Sequence, residues 1–146
     1  MNITAMYFSG TGNTKKVTAA IADELTEIKD SRDETAAGEN PGSRKAGIKP
    51  WQRADDIDFT PPAARREIYR FTPDDLVVFG VPVIAGRVPN VLLKFLDTLQ
   101  GGGALAVPVV LYGNRNFDDA LIELRNILQD RGFYAIGAAA FIGEHS

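Results

Sequence analysis

The chain has no cysteine and a single histidine, His145, among its 146 residues. Within this sequence that excludes disulfides, thiol chemistry and cysteine-ligated iron–sulfur or zinc centres, and it leaves a histidine-based metal site without ligands. Charge of one sign is also scarce: 16 Lys and Arg against 19 Asp and Glu leave a formal −3. That balance offers nucleic acid no basic surface and steers no charged partner strongly. No apolar run comes near the roughly 18–20 residues that span a bilayer. The amino terminus enters an apolar segment directly, with no basic leader or cleavage site. A cytoplasmic protein without membrane or nucleic-acid partners is expected. With 45% hydrophobic and 24% charged residues, the composition is that of one ordinary globular domain, long enough to bury a core.

What is present is an alternation of short apolar runs with stretches of helical period, the pattern of a parallel α/β sheet. The first strand is expected at 3–8. After a glycine loop, Val17, Ile21, Leu25 and Ile28 recur at helical spacing and line one face. Residues 29–55 are polar, turn-rich and aperiodic, which predicts a mobile surface insertion in the single domain 1–146, with Trp51 as its anchor. A short second strand is expected at Ile57-Asp58-Phe59 and a short helix at 62–69. The third strand is 76–81. A Pro- and Gly-containing loop then leads to a helix with Val91, Leu92, Phe95, Leu96 and Leu99 inward, and Pro89 suits its first turn. Gly101-Gly102-Gly103 breaks the chain before a fourth strand at 106–112. A helix carrying Leu121, Leu124, Ile127 and Leu128 stops at Gly132, and a fifth strand runs about 133–142.

Five strands in β-α alternation suggest a doubly wound parallel sheet of order 2-1-3-4-5. Right-handed crossovers place the first helix on one face and the later connections on the other. A last helix pairing with the first would need residues after strand five, and almost none remain. The final helix is therefore expected to be missing, with apolar sheet surface uncovered beside the first helix. Such a patch marks a contact with another chain, a homodimer or a missing domain.

In an open sheet of this kind, ligands bind beyond the carboxyl ends of the strands at the switch point. Three loops meet there: 9–14, 82–90 and 113–118. In Ser9-Gly10-Thr11-Gly12-Asn13-Thr14 the glycines allow close backbone approach, and the helix starting near Thr14 turns free N–H groups toward an anion. Ser9, Thr11, Asn13 and Thr14 add side-chain donors. The loop holds no cation, so it reads as a neutral hydrogen-bonding cage for a terminal phosphate; a turn that merely caps a helix is the alternative. The Walker pattern fails for want of Gly-Lys-Ser/Thr, and the dinucleotide fingerprint for want of a third glycine where Lys15 stands. A response-regulator receiver would need an acidic cluster after strand one and an aspartate after strand three, and Ser9-Gly10 and Pro82-Val83 occupy those places.

The segment 8–14 resembles the phosphate loop of flavodoxins. Residues 80–89, 112–119 and Phe141-Ile142-Gly143-Glu144-His145-Ser146 are similar to the flavodoxin-like portion of bacterial and archaeal flavodoxin–ferredoxin fusion proteins, whereas 29–55 have no counterpart. The resemblance implies a flavodoxin-like α/β fold, non-covalently bound FMN and electron transfer with a redox protein or ferredoxin-type module. Such a module is absent here, so the chain reads as an excised domain or a stand-alone version. Ser9, Gly10, Thr11, Gly12, Asn13 and Thr14 would hold the phosphate. Pro82, Val83, Ile84, Ala85, Gly86 and Arg87 would border the isoalloxazine ring, with Gly86 near its reactive nitrogen. Family members often carry an aromatic where Ile84 stands. Gly113, Asn114, Arg115, Asn116, Phe117 and Asp118 would cover the other side, with Gly113 and Asn114 offering donors to the pyrimidine edge.

Phe117 is either a ring stacked on the flavin or an inward-packing residue at a helix start. Arg87 and Arg115 could raise the potential of a reduced flavin, meet an acidic partner or nicotinamide phosphate, or be solvated. Lys15 and Lys16 read as surface residues, His145 as a linker residue, and Asp118 and Asp119 as favourable charge at a helix start. No catalytic acid, base or metal ligand is needed by a carrier. The other readings are an FMN-dependent NAD(P)H or quinone reductase and a cofactor-free interaction domain.

Overall fold

The computed structural model describes residues 1–39, 51–113 and 118–142. All its strands belong to one parallel sheet. β1 (Asn2–Tyr7) lies beside β4 (Asp75–Pro82), and β5 (Leu105–Tyr112) follows on the far side of β4. On one edge, β2 (Gln52–Arg53) and β3 (Ile57–Asp58) pair in turn with the two ends of β1. On the other, β6 (Tyr134–Ala135) and β7 (Ala139–Ile142) pair in turn with β5. The expected order 2-1-3-4-5 is therefore present, with each edge position broken in two.

The break has a local cause on the β2–β3 side. Asp56 stands between the two short strands and pairs with Arg53 of β2 at 2.6 Å, and Arg53 also reaches Asp23 at 2.8 Å. Central strands have no such freedom. β4 and β5 are flanked by strands on both sides and are nearly continuous apolar runs, with β4 buried on both faces.

Helix α1 (Asn13–Glu39) covers one face, and α2 (Asn90–Leu96) with α3 (Asp118–Asp130) covers the other. The α1 side buries Ile3, Ala5, Tyr7, Leu76, Val78 and Val109. The opposite core holds Phe59, Phe79, Leu92, Phe95, Leu124 and Leu128.

Several expectations change. α1 continues to Glu39, so the first part of the expected insertion is helix; residues 40–50 lie outside the described residues. The apolar period ends before the helix does, because residues 30–39 contain no apolar residue larger than alanine. The innermost line of α1 is Thr14, Thr18 and Ala22, with Val17, Ile21 and Leu25 flanking it, and Ile28 is exposed. Trp51 does pack against that side.

The helix expected at 62–69 is a single 3-10 turn, Ala64–Arg66. Phe59 leaves the strand to be buried between Phe79 and Phe95, at ring distances of 5.2 and 4.9 Å. In α2, Leu92, Phe95 and Leu96 face inward, with Leu99 just beyond the helix; Val91 points out, because it is about a quarter-turn off that line.

Among the described residues, the expected uncovered face is found. Ala139 and Phe141 pair with Val109 and Leu111 of the α1-side cluster, and Tyr134 pairs with Leu105. Tyr134, Phe141 and Ile136 are exposed there, and no described helix lies over them.

Candidate functional site

β1, β4 and β5 are adjacent and parallel, so the loops that follow them share one edge of the sheet. The first of these is tied at both ends. Phe8 N–H donates to Gly80 O at 3.1 Å, which carries the pairing one residue past β1. Ser9 N–H donates to Thr60 Oγ1 at 2.8 Å, and Ser9 Oγ accepts from Lys15 N–H at 3.1 Å. Lys16 N–H closes the first helical bond to Gly12 O. Between these ties, the amides of Gly10, Thr11 and Gly12 meet no acceptor among the described residues. They form the open start of a long helix, where an anion is favoured.

The glycines differ in kind. Gly12 has φ +91°, a left-handed conformation that suits glycine. Gly10 has no such φ, and a Cβ there would meet nothing within 4 Å. The protein's own packing therefore does not require glycine at 10, whereas close approach of a ligand would. Thr14 is buried with its methyl facing Gly80, where an added Cβ would lie 3.2 Å from Cγ2. That contact presses the first turn of α1 onto β4.

The loop after β4 is a two-residue hairpin turn. Ile84 N–H donates to Arg87 O at 3.0 Å and Arg87 N–H to Ile84 O at 3.1 Å. Ala85 and Gly86 both have positive φ, 53° and 78°, the signs of a type I′ turn. Pro82 and Val83 are half-buried below it, and Ile84 stands 58% exposed. Arg87 is not free: its guanidinium pairs with Glu123 Oε2 of α3 at 2.8 Å, while Glu123 Oε1 accepts Val88 N–H at 2.8 Å. The hydrogen bond and charge of Glu123 raise the Arg87 pKa further above its ordinary value.

Solved structures share this architecture. An archaeal flavodoxin matches with a TM-score of 0.63 at 16% identity, over 100% of this chain and 86% of that one. The apo form of an NADH:FMN oxidoreductase gives 0.61 at 18% identity, over 97% and 75%. A flavoprotein in complex with FMN from Lactobacillus acidophilus NCFM gives 0.56 at 14% identity, over 95% and 92%. The fold is flavodoxin-like. No family model matches the chain, and no curated protein is similar enough to match.

Within this flavodoxin-like fold, Ser9 to Thr14 and Pro82 to Arg87 stand on neighbouring strands at the same sheet edge. Gly113 is exposed at the end of β5, and Asp118 opens α3. Asn114, Arg115, Asn116 and Phe117, like the terminal His145, lie outside the described residues. Among the described residues no cluster of His, Asp or Glu could hold a metal ion, and no helix is long and apolar enough to cross a membrane.

Three residues at this edge were not anticipated: Thr60, Arg65 and Glu123. Thr60 had a sequence signal in Asp58-Phe59-Thr60, because Asp58 Oδ1 accepts Thr60 N–H at 2.9 Å in a side-chain-closed turn. Below them, Tyr7 Oη donates to Asp56 Oδ2 at 3.0 Å. Burial, and then that carboxylate, push the Tyr7 phenol up to about 12.

Proposed function

We propose that this chain binds FMN non-covalently and serves as a flavodoxin-type electron-transfer domain. The observation that carries the reading is the glycine loop: the amides of Gly10, Thr11 and Gly12, without an acceptor among the described residues, lie at the start of α1, at the carboxyl end of central β1 and beside the turn that follows β4. The donor set fits a phosphate. Gly10 leaves room for close approach, Gly12 supplies the left-handed bend, and Thr11, Asn13 and Thr14 add side-chain donors. The similarity in fold to flavoproteins supports flavin as the group that carries that phosphate.

When bound, FMN supplies one- or two-electron transfer; the protein's part is binding, orientation and electrostatics. Loop 10–14 would hold the phosphate. The 82–87 turn would flank the ring, with Gly86 giving backbone access, and Gly113 to Asp118 would close the other side. Arg87 contributes little net charge there, because Glu123 compensates it. The resemblance to flavodoxin–ferredoxin fusion proteins makes a cytoplasmic iron–sulfur module the natural electron partner. A reductase acting on NAD(P)H or a quinone is the second reading. It is favoured by Ile84, an exposed aliphatic side chain where a stacking ring would shield the flavin from substrate.

Titrating the apoprotein with FMN tests the reading. Stoichiometric uptake with visible flavin bands is expected, and no uptake would sink it. Thr11→Asp, at an exposed loop position, should weaken FMN by at least tenfold through repulsion with the phosphate, and leave riboflavin within about twofold. Equal losses for both ligands would move the phosphate elsewhere. Steady NAD(P)H oxidation by the holoprotein alone would favour the reductase.

A further inference from the structure

The segment after β3 converges on the start of the phosphate loop. Asp58 Oδ1 accepts Thr60 N–H at 2.9 Å, and Thr60 Oγ1 accepts Ser9 N–H at 2.8 Å. One residue earlier, the Phe8 ring lies 6.4 Å from that of Phe59. Arg65 closes the arrangement: its Nη1 donates to Phe59 O at 2.9 Å and to Thr60 O at 2.7 Å, and its guanidinium carbon sits 5.6 Å from the centre of the Phe8 ring. Nε and Nη2 of Arg65 meet no acceptor among the described residues. The chain between is stiffened by Pro61 and Pro62, whose carbonyls accept the N–H groups of Ala64 and Arg65 at 3.0 and 3.1 Å.

Two consequences follow from chemistry. With its N–H held by Thr60 and its Oγ accepting from Lys15, Ser9 is fixed from both sides, while its hydroxyl hydrogen stays available to a ligand. The loop contains no cation, yet Arg65 places a permanent positive charge over the ring of Phe8, the residue just before it. A charge beside the loop acts on an anion through the field as well as by contact, and salt screens it.

We propose that the 58–66 segment is a second wall of the phosphate site: Thr60 is a positioning residue acting through Ser9, and Arg65 supplies the charge that makes the site prefer a phosphomonoester dianion to an uncharged ligand. The proposal rests on the FMN reading above and deepens it.

The test is the ratio of FMN to riboflavin affinity, read by flavin fluorescence quenching on the apoprotein. Thr60→Val should weaken FMN about tenfold and riboflavin less than twofold. Thr60→Ser, which keeps the hydroxyl, should restore FMN binding to within about twofold of the wild type. Arg65→Gln should weaken FMN roughly fivefold and make its affinity less dependent on salt, while Arg65→Lys keeps the salt dependence. Riboflavin binding and circular dichroism of each variant report whether the fold survives, since neither needs the phosphate contact. FMN binding unchanged in both Thr60→Val and Arg65→Gln, or equal losses of FMN and riboflavin, would overturn the proposal alone. A wild-type protein that takes up no FMN overturns the reading beneath it, and the proposal with it.

Discussion

Gly80 sits on β4 directly beneath a threonine of α1. A Cβ added there would collide with Thr18 Oγ1, and Thr18 is fully buried with that oxygen unpaired among the described residues. Helix and strand approach closely at this point, and the approach orients the first turn of α1 and hence the loop. Gly80→Ala should destabilise by about 2–3 kcal/mol through overpacking. Thr18→Ala alone should be nearly neutral, because the lost methyl contacts are offset by removal of an unsatisfied buried hydroxyl. Combined, the two should recover at least half of the Gly80→Ala loss, a coupling that denaturant unfolding of all four proteins would measure. Simple additivity would mean that the clash lies elsewhere. Tyr7, on the same side of the sheet, makes a pH-dependent contribution. Burial and the Asp56 carboxylate push its pKa from the ordinary tyrosine value of about 10 up to about 12, so the folded state holds the phenolic proton more tightly. That stability is fully present below pH 10 and is lost as pH climbs through 12, about 2–3 kcal/mol in all. Tyr7→Phe should be less stable than wild type at pH 7, having lost the Asp56 hydrogen bond, yet show a flatter decline from pH 9.5 to 11.5. Parallel declines in the two proteins would refute this assignment.

Among the described residues, the turn after β4 carries the one non-glycine residue with positive φ, Ala85 at 53°. Alanine is strained in that region by roughly 1 kcal/mol, while asparagine tolerates it and Asn-Gly is the preferred pair of a type I′ turn. Ala85→Asn should therefore raise stability by about 0.5–1 kcal/mol, seen as a higher denaturation midpoint with an unchanged m-value. A lower midpoint would show that the methyl group has a packing role. This turn also marks the limit of what sequence could say about the elements. Buried central strands advertise themselves, since 76–81 and 106–112 are apolar throughout, and the order of the five sheet positions followed from alternation and handedness. The edges did not. Gln52 and Arg53 pair with β1 although neither is apolar, because an edge strand needs only one neighbour and can spend its side chains on ion pairs. The inner line of α1 was hidden because it is made of Thr14, Thr18 and Ala22, residues chosen for small size rather than hydrophobicity. At the site, the glycine loop was legible because phosphate recognition needs glycines, hydroxyls and a helix start in consecutive residues. Thr60 reaches the loop, and Arg65 the residue before it, across some fifty residues of chain, and only the sheet brings them together.

At the scale of the whole molecule, the two faces of the sheet are unequal. One lies under α2 and α3; the other has α1 over its β1–β4 side, and toward β5 to β7 no described helix follows. Tyr134, Ile136 and Phe141 stand there at 66%, 55% and 39% exposure, beside half-buried Leu105, Val107 and Ala139. Apolar side chains clustered on one face, unlike apolar residues scattered singly, are the kind of surface that another chain buries. β7 adds an outer edge whose four residues carry no charge to discourage another strand. In solution the chain should therefore associate with itself as its concentration rises, through this apolar face. Sedimentation velocity from micromolar to millimolar protein should show the mean coefficient increasing for the wild type and staying at the monomer value for Ile136→Lys with Phe141→Lys. Both substitutions lie on exposed positions away from the glycine loop, so FMN uptake should be the same in the two proteins. A wild type that stays monomeric over that range would mean that this face is left to a different partner or tolerated by water, and association in the doubly substituted protein would locate the contact elsewhere.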